Sequence, residues 1–216
     1  SRKPVVISRQ EWGAYSPRNN IVCDPLRGVC IPSYPIGEGI YDLECNPHGG
    51  YAFYSDLYPE KTLAEIYDTI VIHHAGNTNN PTIINIQKEH FDQGFADIGY
   101  HFMVDKNGLI YAGRNIGVRG AHVEGGNSGK IGILVAGDFE PDDYVDLPLI
   151  GEIKIKKEPA DVLSKTQEQS LENLVDYLDF LYTIDLIAGH NHFNTTRCPG
   201  INLDYTVVSL NYAYGN

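Results

Sequence analysis

Three stretches of this chain are apolar without alternation: "DTIVIHH" at 68–74, "IGILVAG" at 131–137 and "DLIAGH" at 185–190. A half-exposed strand alternates apolar and polar residues, because successive side chains point to opposite faces. A strand that is apolar on both faces must be covered on both faces, and this is the habit of parallel sheets packed between helices. The segments between these runs supply helices. "NPTIINIQKEHFDQG" at 80–94 reads as one, with Asn80 as its cap, Pro81 in the first turn and Gly94 as the stop. Residues 165–183 read as a longer one. Ser164 and Gln167 have the spacing of a capping box, and Leu171, Leu174, Val175, Leu178, Leu181 and Tyr182 fall on one face. "YHFMVD" and "LIYAG" flank "KNG", so 100–113 reads as a hairpin. The fold class that follows is α/β, a central mixed and mostly parallel sheet flanked by helices.

Two segments break this regularity. Residues 18–60 are rich in Gly, Pro, Asn and Tyr, and 141–163 in Pro and Asp; both read as irregular insertions within a single domain spanning 1–216. That length suits one domain with a full core. Three of the four cysteines, Cys23, Cys30 and Cys45, lie in the first insertion. Cys23 and Cys30 are close enough in sequence to bridge, which in the loop-entropy picture stabilises by about 2.5 kcal/mol. Such a pair favours an exported protein in an oxidising compartment; the other reading is buried free thiols in a cytosolic one. Ser1 opens the chain without a methionine, which reads as a processed or trimmed start.

The strand ends carry the chemistry. His73 closes one apolar run, His190 closes another, and Cys198 follows in "GHNHFNTTRCPG". Open α/β sheets gather their sites at the carboxyl ends of strands. Two imidazoles and a thiolate suit Zn²⁺ rather than magnesium or calcium, and three protein ligands leave a fourth position open. His73 and His74 cannot easily both ligate, since neighbours on a strand face opposite ways. Two other readings of 189–200 stand beside zinc: a structural loop, and an HNH-nuclease-like finger resting on His190-Asn191-His192. The net charge of -12 speaks against the second, because an acidic surface repels nucleic acid. No apolar run is long enough to span a bilayer.

Five ordered segments together resemble the zinc amidase and peptidoglycan-recognition-protein family, the type 2 N-acetylmuramoyl-L-alanine amidases. They are "ISRQEWGAYSP" (7–17), "YDTIVIHHAG" (67–76), "DIGYHFMVDKNGLIYAGR" (97–114), "GAHVEGGNSGKIGILVAGDF" (120–139) and "GHNHFNTTRCPG". The resemblance implies zinc ligands His73, His190 and Cys198, with Tyr100 and Thr196 assisting catalysis. One branch of the family carries a Glu where this chain has Leu134, which aligns the chain with the tyrosine branch. The resemblance also places His122 and Asn127 in a peptidoglycan groove, and Arg114, Asn115 and Ile116 where the third stem-peptide residue is read. Asn-Ile departs from the usual pairs there, and Asn191-His192 departs from Arg-Asp beside the ligand histidine. The implied reaction is hydrolysis of the amide between N-acetylmuramic acid and L-alanine. The implied partners are peptidoglycan or muropeptides, without nucleic acid or a membrane span, and with the protein acting as an exported monomer. Non-catalytic relatives bind muropeptides without cutting and commonly lack the cysteine ligand, which this chain retains at Cys198.

Overall fold

A computed structural model describes residues 2–18, 21–24, 29–32, 50–77, 80–147, 151–156 and 160–215. The elements in chain order are β1 (Val6–Ile7), β2 (Ile21–Asp24), β3 (Val29–Pro32), α1 (Tyr54–Leu57), β4 (Thr69–His74), α2 (Ile83–Asp92), β5 (Phe102–Val104), β6 (Ile110–Ala112), β7 (Lys130–Val135), β8 (Asp142–Leu147), β9 (Gly151–Lys156), α3 (Lys165–Tyr182), β10 (Leu186–Gly189) and α4 (Ile201–Tyr214). Six strands form the central sheet in the order β1-β6-β5-β7-β4-β10. Among the described residues, only the β5–β6 hairpin is antiparallel within it. The three continuous apolar runs become its adjacent strands β7, β4 and β10, and their inner residues are buried on both faces, as expected.

The two faces pack differently. Ile70, Ile72, Ile131, Ile133 and Val135 meet Leu171, Leu174, Val175 and Leu178 of α3 and Leu203, Val207 and Leu210 of α4. Each such fully buried aliphatic side chain contributes about 1.5–3 kcal/mol of transfer free energy. The opposite face carries a smaller cluster of Ile83 and Ile86 from α2 with Ile98, Met103, Leu134 and Ala136. Period-two alternation puts His73 on that thinner side, in register with Leu134.

Several local expectations shift. Thr82, not Asn80, caps α2: its hydroxyl accepts the Asn85 N–H at 3.3 Å, while Asn80 takes a positive φ of 48°. Ser164 caps α3 by accepting from Gln167 N–H at 3.1 Å, but the Gln167 side chain does not return to the cap. It is buried, and its amide donates to Ala136 O at 2.8 Å, tying α3 to the end of β7. Leu181, expected in the core, is 38% exposed, although Tyr182 beside it packs against the core. Residues 141–163, expected to be irregular, contain the antiparallel pair β8–β9. In residues 18–60, β2 and β3 pair with Cys23 opposite Cys30; their side chains, and Cys45, lie outside the described residues. Helix α4 was not anticipated, because "INLDYTVVSLNYAY" is apolar on all sides and shows no clear helical period. Among the described residues no helix is long and apolar enough to cross a membrane.

Candidate metal centre and cleft

His73 stands at the carboxyl end of β4, 1% exposed. Its neighbour strand β10 runs parallel and ends one residue before His190, which opens a single 3-10 turn. The chain then loops back to Cys198, whose backbone carbonyl accepts the Asn191 N–H at 2.8 Å. The result brings His73, His190 and Cys198 together: one ligand atom from each lies within 4.8 Å of the others. The Cys198 Sγ is 3.7 Å from His73 Nδ1. A tetrahedral zinc, with bonds of about 2.3 Å to sulfur and 2.05 Å to nitrogen, holds such a pair about 3.6 Å apart. The donor chemistry and this Cys198–His73 spacing both fit zinc. His74 points the other way, as the strand requires. Its Nδ1 accepts the Phe139 N–H at 3.3 Å and lies 3.9 Å from Asp138, while its own backbone N–H donates to Cys198 Sγ at 3.4 Å.

Burial sets the electrostatics. It holds His73 well below the ordinary histidine range, with the neighbouring His122 and His190 adding to the effect, and it lowers His190 too. Both imidazoles are therefore held in the neutral form that a metal would require. Burial pushes the Cys198 thiol up to about 12, partly offset by the His74 N–H bond.

The cluster opens into a cleft of about 420 Å³ whose walls include His90, Phe95, Tyr100, His122, Asn127, His190, Asn194 and Thr196. The Tyr100 ring lies 5.0 Å from the His73 ring, and burial raises its phenol so that it stays protonated. Thr196 accepts the Cys198 N–H at 3.2 Å, which pins its hydroxyl beside the ligand loop. His122 reaches His73 directly, Nδ1 to Nε2 at 3.0 Å. The Asn127 Oδ1 accepts the N–H groups of both His122 and Val123, at 2.8 and 2.9 Å, and closes the loop that carries them.

The 114–116 strip lies outside the cleft walls. Arg114 is 2% exposed and spends its donors on the carbonyls of Ile98, Asp97, Arg119 and Gly50. Asn115 is exposed and its Oδ1 accepts the Gly117 N–H at 2.8 Å; Ile116 packs against the larger core. Beside His190, Asn191 turns away to Asp204 at 3.1 Å, and His192 is exposed against Phe193. The contact to His190 comes instead from Asn194, which sequence reasoning missed: its Oδ1 is 3.0 Å from His190 Nε2. His90 was missed as well. It stacks on Phe95 at 4.7 Å, accepts the Gly99 N–H through Nδ1 at 2.8 Å, and is lowered to about 4 by burial. Helical spacing from Ile83 and Ile86 is the signal that could have found it, since both face the same side of α2.

The chain is similar to several known proteins. The endolysin of Klebsiella phage KP32 is 30% identical over 118 residues, covering 55% of this chain and 69% of that protein. Peptidoglycan-recognition protein SC2 of Drosophila melanogaster is 32% identical over 150 residues, covering 66% and 73%. Among solved structures, the N-acetylmuramoyl-L-alanine amidase LysC from Clostridium intestinale URNW matches with a TM-score of 0.56 at 28% identity, over 70% of this chain and 87% of that one. Drosophila PGRP-LB matches with a TM-score of 0.60 over 98% and 96%; at 21% identity this likeness speaks for the fold. Residues 63–201, more than half of the sequence and including His73, His190 and Cys198, match the family described as N-acetylmuramoyl-L-alanine amidase. The chain belongs to that family.

Proposed function

We propose that this protein is a zinc-dependent hydrolase that cleaves the amide between N-acetylmuramic acid and L-alanine of peptidoglycan. The observation that carries the reading is the convergence of His73, His190 and Cys198 beside a cleft lined by His190, Tyr100 and Thr196. Zinc bound there would lower the pKa of a coordinated water and polarise the scissile carbonyl. The chain's own residues supply the rest. Tyr100, kept protonated by burial, donates its O–H to the oxygen that gains charge as the carbonyl carbon becomes tetrahedral. Thr196 offers a second hydroxyl from the ligand loop. The walls at His122 and Asn127 hold the sugar–peptide junction so that one amide meets the metal. Asn115 and Ile116 meet the stem peptide further out, and buried Arg114 keeps the backbone of that strip in place. The acidic net charge favours recognition by shape and hydrogen bonds over adhesion to anionic wall polymers. A peptidoglycan substrate implies export, and the Cys23–Cys30 pair is proposed as a disulfide of that compartment.

The alternative is a recognition protein that binds muropeptides without cutting. Retention of Cys198 beside both histidines favours the enzyme, because two histidines alone make a poor zinc site. The test pairs metal analysis with hydrolysis. The wild-type protein should bind one zinc, lose activity to a chelator and regain it with Zn²⁺. Cys198→Ser should lose both metal and hydrolysis while still binding muropeptide. Full activity of Cys198→Ser would refute the ligand set.

A further inference from the structure

The contacts around the two histidines determine where their protons sit, and they lead back to one loop. A neutral imidazole carries a single N–H, and a histidine that ligates a metal is neutral. His122 Nε2 faces the carbonyl of Lys130 at 3.4 Å, a group that only accepts. The His122 proton therefore belongs on Nε2 and its Nδ1 is a bare acceptor. His73 Nε2, 3.0 Å away, must then carry the His73 proton, which leaves the His73 Nδ1 lone pair facing Cys198.

The same logic holds on the other side. The Asn194 Nδ2 donates to the carbonyl of Glu124 at 3.2 Å, again a group that only accepts. That fixes the orientation of the amide, which geometry alone leaves ambiguous. Its Oδ1 must point at His190 Nε2, at 3.0 Å, so His190 is protonated on Nε2 and bare on Nδ1. His122 and the Glu124 carbonyl both belong to the loop 120–127 that Asn127 closes, and that loop is a wall of the cleft.

Resting on the zinc reading above, we propose that Asn194 is a positioning residue that holds His190 as an Nδ1 ligand. His122 does the same for His73, and the 120–127 loop orients both metal ligands at once. Partners of this kind typically change metal affinity 10- to 100-fold when removed. The departures that the resemblance flagged, Asn191 and His192, direct their side chains to Asp204 and Phe193 instead.

The experiment uses the full chain with Asn194→Leu and Asn194→Asp. Zinc affinity is measured by competition with a chromophoric chelator, and the His190 tautomer of zinc-free protein by long-range ¹H–¹⁵N NMR. Wild type should show His190 protonated on Nε2. Asn194→Leu should bind zinc about 10- to 100-fold more weakly and lose the single tautomer. Asn194→Asp keeps the acceptor for His190 but not the donor to Glu124, and should recover most of the affinity. If Asn194 only tethers the loop, Asp would be as poor as Leu. That result, unchanged affinity in Asn194→Leu, or a wild-type His190 protonated on Nδ1 overturns the proposal. Absence of zinc binding in wild type would refute the function reading instead, and the tautomer would then decide this inference alone.

Discussion

A methyl group at position 132 should disable the metal centre without touching a ligand. Gly132 lies in β7, its N–H donating to His101 Nδ1 at 3.0 Å and its carbonyl accepting the His101 N–H at 2.9 Å. The His122 ring lies directly against it. A Cβ at 132 would sit 2.6 Å from His122 Cδ2 and 2.7 Å from its Cγ and Nε2. Carbon atoms in contact prefer about 3.5 Å or more, so the overlap is about 0.9 Å. The ring has little room to recede, because it lies equally close to the backbone of Gly120, where a Cβ would be 2.6 Å from Cδ2. Overpacking of this kind costs about 1–3 kcal/mol. In a chain of this size that lowers Tm by roughly 2–12 °C. The displaced ring also leaves His73 Nε2, so zinc should bind about 10- to 100-fold more weakly. The assay is a double-mutant cycle of Gly132→Ala with His122→Ala, read by thermal unfolding and zinc competition. With the ring gone the methyl has space, and Gly132→Ala should then cost almost nothing in either readout. The coupling energy should therefore match the single-mutant cost, about 1–3 kcal/mol. Additive effects of the two substitutions would refute the claim that His122 is held by its fit against these glycines.

The remaining predictions concern the proton, the phenol and the first insertion. In metal-free protein the Cys198 thiol is pushed up to about 12, and His73 and His190 are already neutral at pH 7. Ligation displaces one proton from the thiol, so zinc binding should tighten about tenfold per unit rise in pH between roughly 6.5 and 8.5; a flat profile would contradict the buried thiol. Tyr100→Phe should keep zinc and slow hydrolysis about 10²- to 10³-fold, the usual effect of losing one oxyanion donor; an unchanged rate measured on muropeptide would reduce Tyr100 to a packing residue. Peptide mapping without reductant should recover Cys23 joined to Cys30, and both thiols free in protein from its native compartment would remove the argument for export.

The legible part of this molecule was what repeats along the chain. Uninterrupted apolar runs foretold β4, β7 and β10, because burial on both faces forces that pattern. Strand parity foretold that His73 and His74 would part company, and the placement of His73 and His190 at strand ends brought them to one edge. What escaped was decided by contacts between distant segments. Gln167 has the spacing of a capping-box partner but meets Ala136 O, since the buried carbonyl at the end of β7 needs a donor more than the exposed cap does. The resemblance implied a substrate-reading role for Arg114, yet its guanidinium donates to four backbone carbonyls brought together by the fold. Asn194 is one polar residue in a polar loop, and nothing local marks it out. Its proposed role depends on an Oδ1 turned to His190 by the Glu124 carbonyl, 70 residues away in sequence.

The most direct test of the whole account is the product of the reaction. Zinc-loaded protein is incubated with purified peptidoglycan, and the soluble and insoluble fractions are analysed by mass spectrometry, with chelated protein and Cys198→Ser as controls. The account predicts intact stem peptides bearing a free alanine amino terminus, released from glycan strands of unchanged length, only when zinc and Cys198 are both present. Cleavage within the peptide, shortened glycan with peptides still attached, or binding without any release would contradict it.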